Sequence, residues 1–261
     1  VLQNTDGEDT GIDNDQVELS LADRWIIARL QQVSSEVARH IDVYRFDLAS
    51  RELYEFIWND YCDWYIELSK PVLYSDDSSA GQKRAARQTL VRVLEAMLRL
   101  LHPIMPYITE ELWQRVAPLA GIEGETIMLQ PYPTADESKI DADAIDELSW
   151  VKTFIMGVRQ IRSEMDIKPG KPLPVLLQNG AELDQQRLHR NEALLSSLAR
   201  LESIHWLNSD ENAPESATSL VGEMNLLIPL AGLIDKEAEL ARLEKNMEKL
   251  RTDAERIRAK L

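Results

Sequence analysis

Apolar side chains recur every three or four residues from Ile26 to Leu101, and prolines at 71, 103 and 106 cut that run into rods. A period near 3.6 buries one stripe of each rod, so such a chain folds by packing rods against one another. Ser20, followed three residues later by Asp23, resembles a capping box, and Ile26, Leu30, Val33, Val37 and Ile41 then share a face. The spacing predicts a second helix from about Asp47 to Ser69, with Leu53, Ile57, Tyr61, Trp64 and Leu68 inward and Pro71 as its stop. A third, from about Ser79 to Leu101, carries Leu90, Leu94, Met97 and Leu101. Pro103 and Pro106 force a break, and Thr109 is expected to cap a short helix reaching Val116. A Pro/Gly-punctuated loop from Ala117 to Lys139 precedes a long helix from about Asp141 to Met165. Long helices with short connections make a bundle.

The pattern changes after IKPGKP, Ile167 to Pro172. Leu173 to Leu177 is a short apolar run, Leu183 to Leu201 has helical period, and Ser203 to Leu207 alternates as a strand does. Thr218–Val221 and Met224–Ile228 flank Gly222-Glu223, which reads as a tight hairpin. In the tail, Leu240, Leu243, Met247, Leu250, Ala254, Ile257 and Leu261 alternate steps of three and four, an a/d heptad with charged residues between. One short amphipathic helix gains little alone. It needs a second strand, from a downstream segment or another molecule; the plainer alternative is a surface helix lying on its own domain. The expected class is mainly α: a linker over 1–18, a helical bundle over 19–168, a small α+β unit over 169–234, and the first helix of a truncated coiled-coil arm over 235–261. An exposed a/d stripe also fits self-association.

The formal net charge is −16, which on its face argues against a nucleic-acid partner. The acids are unevenly spread. Seven lie between Val1 and Asp23 with no Lys or Arg, and six between Asp136 and Glu147 face only Lys139, so these two segments hold twelve of the sixteen excess charges. Polyanion binding depends on local patches, so net charge decides little here. Cys62 is the only cysteine, which rules out a disulfide within the chain and fits a reducing cytoplasm. No apolar run reaches membrane-spanning length. The initial Val fits a piece of a larger enzyme.

Candidate chemistry is sparse. No Gly-rich phosphate loop, nucleophile elbow or metal-binding helix motif occurs, so no catalytic residue, metal ligand or cofactor site is expected in this chain. His102 at a helix end suits a structural cap or a contact residue. Asp60, Asp63 and Glu67 share a helix and read either as a carboxylate pair or as a polar stripe bonded to Lys70, Arg51 or neighbouring helices. Three basic groups stand out: Lys83, Arg84 and Arg87; Arg159 and Arg162, just ahead of Lys168 and Lys171; and Arg39 and Arg45 beside Phe46. A cation beside an exposed aromatic suits an unpaired nucleic-acid loop, one holding phosphates and the other a splayed base. An ordinary solvated face is the competing reading for each. Trp58, Trp64 and Trp113 read as core.

Four blocks are similar to the C-terminal region of bacterial valyl-tRNA synthetases, class I aminoacyl-tRNA synthetases. They are LADRW (Leu21–Trp25), NDYCDWYIELSKP (Asn59–Pro71), HPIMPYITEELW (His102–Trp113) and VRQIRSEMDIKPGKPLP (Val158–Pro174), with NLLIPLAGLID (Asn225–Asp235) before the heptads. The resemblance runs from about Leu19 to Leu261. The HP-x-x-P block is shared with the isoleucyl and leucyl enzymes; CDWYIELSKP and the R-x-x-R-x-E-M run point to valine. The resemblance implies a helical anticodon-binding domain, a small α+β domain and the start of a coiled-coil arm that touches tRNA. The intact enzyme would join valine to its tRNA with ATP and magnesium and hydrolyse mischarged threonine. This sequence lacks the HIGH and KMSKS signatures and the editing domain, so recognition of valine tRNA, not aminoacylation, is expected of it. The expected contacts are Arg39 as a donor to a base or phosphate, Phe46 as a stacking face, Ile108 as an apolar wall, and Arg159 and Arg162 as phosphate clamps. The same region of an isoleucyl or leucyl enzyme, or a protein-interaction module built on the coiled-coil tail, are the alternatives.

Overall fold

Ser20 starts the first helix as its spacing predicts: Ser20 Oγ accepts from the Asp23 N–H at 3.2 Å while Asp23 Oδ2 accepts from the Ser20 N–H at 2.8 Å. The protein is seen here as a computed structural model that describes residues 1–5, 7–11, 17–208, 211–231, 247–248, 250–252, 256 and 258. Two compact units divide between Ser149 and Trp150, inside a helix and ahead of the change in sequence pattern at Ile167.

The first unit holds α1 (Leu21–Asp42), α2 (Phe46–Glu55), a π-helical segment (Phe56–Tyr65), α3 (Ile66–Tyr74), α4 (Ala80–Leu101) and α5 (Pro106–Val116). From Phe46 to Tyr74 the chain is one rod, and it departs from expectation in two ways. The π segment bonds i to i+5, so inward positions fall at Leu53, Phe56, Tyr61, Tyr65 and Leu68, with a five-residue step from Phe56 to Tyr61. Ile57 and Trp64, expected inward, are only half-buried, and Trp58 is 52 % exposed where core burial was expected. Pro71 does not end the rod; helix continues to Tyr74 because Leu68 and Leu73 are buried on either side of the proline. The core of this unit is apolar, with polar groups satisfied in place. Trp113 is buried and donates through Nε1 to Glu95 Oε1 at 2.8 Å, while Arg99 forks onto the same carboxylate. Thr109 is not the cap of α5. Pro106 occupies the first helical turn, where its missing N–H costs nothing, and Thr109 is buried with its hydroxyl on Met105 O at 2.8 Å.

The acidic N-terminal segment, where described, is strapped onto the bundle. Val1 and Leu2 pack against the cluster around Trp113, Thr5 and Thr10 are buried, and Thr10 Oγ1 donates to Leu119 O at 3.1 Å.

α6 (Ala142–Glu164) begins in the first unit and continues into the second from Trp150; there α7 (Glu182–Ala199) accompanies a four-stranded sheet of β1 (Leu173–Gln178), β2 (Leu201–Trp206), β3 (Ser216–Val221) and β4 (Met224–Pro229), ordered β2-β1-β4-β3. β1 and β2 are parallel, joined by α7 as a crossover; the other pairs are antiparallel. Gly222 at φ +62° turns the β3–β4 hairpin. Gly157 lets α6 approach the sheet: a Cβ there would meet Ser219 Oγ at 2.9 Å. The mainly α bundle and small α+β unit are therefore as expected. Of the heptad positions, Met247 and Leu250 are helical and exposed; Leu240, Leu243, Ala254, Ile257 and Leu261 lie outside the described residues.

Candidate nucleic-acid interface

α1 and α4 run parallel. Near their starts the Tyr65 hydroxyl lies 2.6 Å from Asp23 Oδ1 and 3.4 Å from Ala86 O. Further along, the loop of Pro131 to Asp136 bridges both helices: Arg99 Nη1 donates to Pro131 O at 2.9 Å, and the Asp136 N–H donates to Gln31 Oε1 at 2.9 Å. The α1–α2 corner and the α4–α5 corner therefore share one end of the bundle.

At the first corner α1 closes with Tyr44 at φ 58°, and the Arg45 N–H reaches His40 O at 2.8 Å. Left-handed backbone is usually left to Gly or Asn at a helix end, so a tyrosine there is strained. The strain presents the ring: Tyr44 is 81 % exposed and stands edge-on to Phe46, centroids 6.3 Å apart. Strained residues held in place by their surroundings concentrate at functional sites. Arg45 forks onto Asp47, holding that carboxyl down at about 2, and Arg39 pairs with Glu36. Exposed pairs of this kind are weak and screened, so both guanidinium groups can exchange a carboxylate for a phosphate.

At the second corner His102 ends α4. His102 Nδ1 lies 2.8 Å from Thr109 Oγ1, a hydrogen bond that ties α4 to α5, while the Thr109 hydroxyl also reaches Met105 O at 2.8 Å. Pro103 and Pro106 then turn Ile104, Met105, Tyr107 and Ile108 outward, Tyr107 at 91 % exposure. The end thus offers aromatic and aliphatic faces with a few exchangeable cations: material for stacking bases more than for gripping phosphates.

Of the expected contact residues, Arg39 and Phe46 meet at the first corner and Ile108 sits at the second, all exposed. Arg159 is exposed on α6 in the second unit. Arg162 is a correction. It is buried, its Nη1 donating to Lys168 O and Lys171 O (3.4 and 2.7 Å) and its Nη2 to Ala199 O and Arg200 O (3.0 and 2.9 Å). Desolvation, then the nearby Arg200 charge, pushes its pKa down, and no face is left for a phosphate. It pins the entries of β1 and β2, a structural task. In the Lys83–Arg84–Arg87 group the two arginines are likewise covered, Arg84 by Asp9 and Arg87 by Glu8, each at 2.7 Å. The carboxylates of the rod form a polar stripe, Asp60 on Arg29 at 3.1 Å and Glu67 on Lys70 at 2.5 Å. Tyr44 and Tyr107 were missed by sequence reasoning; the φ of Tyr44 has no sequence signal, whereas a tyrosine just behind the helix-opening Pro106 could have been noticed.

Among the described residues no cluster of His, Cys, Asp and Glu could hold a metal, and no helix is long and apolar enough to cross a membrane. Residues 23–177, more than half of the chain, match the family described as the anticodon-binding domain of tRNA ligase.

Proposed function

Since this chain belongs to the anticodon-binding domain family of tRNA ligases, we propose that it is the anticodon-recognising part of a valine–tRNA ligase. The observation that carries this reading is the bundle end where Tyr44 and Phe46 stand exposed with Arg39 and Arg45 at one corner, and Tyr107 and Ile108 stand exposed at the other. An anticodon loop supplies the complement: unstacked bases to lie on flat side chains, and a backbone to draw the two guanidinium groups from their carboxylates. Phe46 and Tyr44 would stack, Ile108 would wall the base, and Arg39 would donate to a base edge or phosphate. Arg159 would contact phosphate from the second unit, with Arg162 as a positioning residue that holds that unit together. The valine assignment is supported by the CDWYIELSKP and R-x-x-R-x-E-M blocks. Joining valine to tRNA with ATP and magnesium would fall to parts of the intact enzyme bearing the signatures this sequence lacks, and the coiled-coil arm would continue the tail.

Titrating the protein with anticodon stem-loops of valine, isoleucine and leucine tRNA tests the proposal. Preference for the valine loop, weakening with salt, is the expected result. Preference for another loop transfers the chain to a sister ligase, and no binding at low salt leaves a protein-interaction module.

A further inference from the structure

We propose that the first two turns of α4 carry a second surface for an RNA phosphodiester backbone, held shut by Glu8 and Asp9 of the N-terminal strap. Arg84 and Arg87 lie three apart on the helix beside Lys83, so the cations share one face. Asp9 Oδ2 sits 2.7 Å from Arg84 Nε, and Glu8 Oε2 sits 2.7 Å from Arg87 Nη2. The two sides of this clasp are unequally wet. The arginine side chains are only 13 % and 17 % exposed, the carboxylates 53 % and 51 %. The anions are therefore a lid over the cations.

The fit is incomplete, and the defect points to a ligand. Arg87 Nε is buried without a hydrogen-bond partner, while Glu8 Oε2 stands 2.7 Å from the neighbouring Nη2. A phosphate, with oxygens available to both Nε and Nη2, would complete the fork. Nor is the acidic pair the strap's main fastening. On one side Val1 and Leu2 pack against the cluster around Trp113; on the other Thr10 Oγ1 donates to Leu119 O and Gln88 Nε2 to Gly11 O at 3.3 Å. Gly11 lies directly on the face, where a Cβ would meet Gln88 Nε2 at 2.7 Å and Arg84 Cγ at 3.1 Å. Glu8 and Asp9 span the stretch between these anchors, so their carboxylates can yield to a competing polyanion while the strap stays fastened. RNA as the partner rests on the tRNA reading; the covered cationic face does not.

The test is a salt titration of oligouridylate of about 12 nucleotides against the protein and its Glu8→Gln/Asp9→Asn variant, followed by fluorescence anisotropy. Uncovering this face should tighten binding and steepen the slope of log K against log salt by at least the ~0.7 that one phosphate neutralised by Arg87 contributes on a single strand. Adding Arg84→Gln and Arg87→Gln should return the slope to that of the parent. Should the double variant unfold by circular dichroism, Glu8→Gln alone should add about 0.7. No steepening in a folded variant, a gain that survives loss of both arginines, or capture of anionic phosphatidylserine vesicles without RNA binding each overturns the proposal. Phe46→Ala, which disables the corner, should leave the gain intact, so failure of the two readings is told apart.

Discussion

The two ends of the helical bundle are built from similar residues to opposite purposes. At the end where α1 and α4 begin, two capping boxes close the helices and Tyr65 is buried with its hydroxyl on Asp23. At the other end Tyr44 and Tyr107 face solvent, one on strained backbone and one behind a proline. A tyrosine is thus stabilising core at one end and an open face at the other. What separates them is burial: the Tyr65 ring is enclosed by the core, whereas Tyr44 and Tyr107 stand in solvent. One end is closed by packing, and the other leaves its ring faces exposed.

The comparison breaks most readily at Tyr65. Tyr65→Ala empties a fully buried site and should cost ~3–5 kcal/mol of unfolding free energy, with affinity for the valine stem-loop unchanged in the molecules that stay folded. A fall in affinity per folded molecule, read by calorimetry, would merge the two ends. Phe46→Ala should do the reverse, leaving the denaturation midpoint in place and weakening the stem-loop by ~1–3 kcal/mol, the usual worth of one stacked base. Tyr44→Gly sharpens the contrast further. Relief of left-handed strain (~1–2 kcal/mol) less the entropy of a new glycine (~0.5–1 kcal/mol) should raise stability by about 0.5–1 kcal/mol while binding weakens. Stability and affinity moving together would count against the strain being functional.

The smallest effect is one of pH. Burial raises the Asp23 carboxyl above its ordinary value, partly opposed by hydrogen bonds from Tyr65 and Ser20. Between the ordinary value and the raised one, the folded state keeps a proton that the unfolded chain has released. Stability should therefore fall as pH rises through that window, and Asp23→Asn should flatten the decline in a series of thermal melts. An unchanged slope would show that the hydrogen bonds outweigh burial.

The closed end was the more legible in sequence. Ser20 and Asp23 name their own cap, and Gly222 marks its hairpin, because these are local arrangements written in adjacent residues. The open end was legible only through its chemistry: Arg39, Phe46 and Ile108 could be picked as exposed candidates, but Tyr44 needed a backbone angle that no residue type at that position demands. Arg159 and Arg162 show the limit most plainly. Three residues apart on one helix, they look alike in sequence; one is exposed, and the other is drawn inward by carbonyls of Ala199 and Arg200, distant in sequence. The covering of Arg84 and Arg87 by Asp9 and Glu8 was hidden for the same reason, since the pairs join residues far apart along the chain.

The widened winding from Phe56 to Tyr65 also bears on how the chain tolerates changes in length. Between Phe56 and Tyr61 the backbone spends five residues where an ordinary helix spends four, so the rod behaves as though it has absorbed a one-residue insertion. Loss of Asn59 would restore a four-residue step and leave the same side chains pointing inward on both flanks. Loss of a residue from α4 has no such slack to draw on, and would rotate every later contact on that helix away from its neighbour.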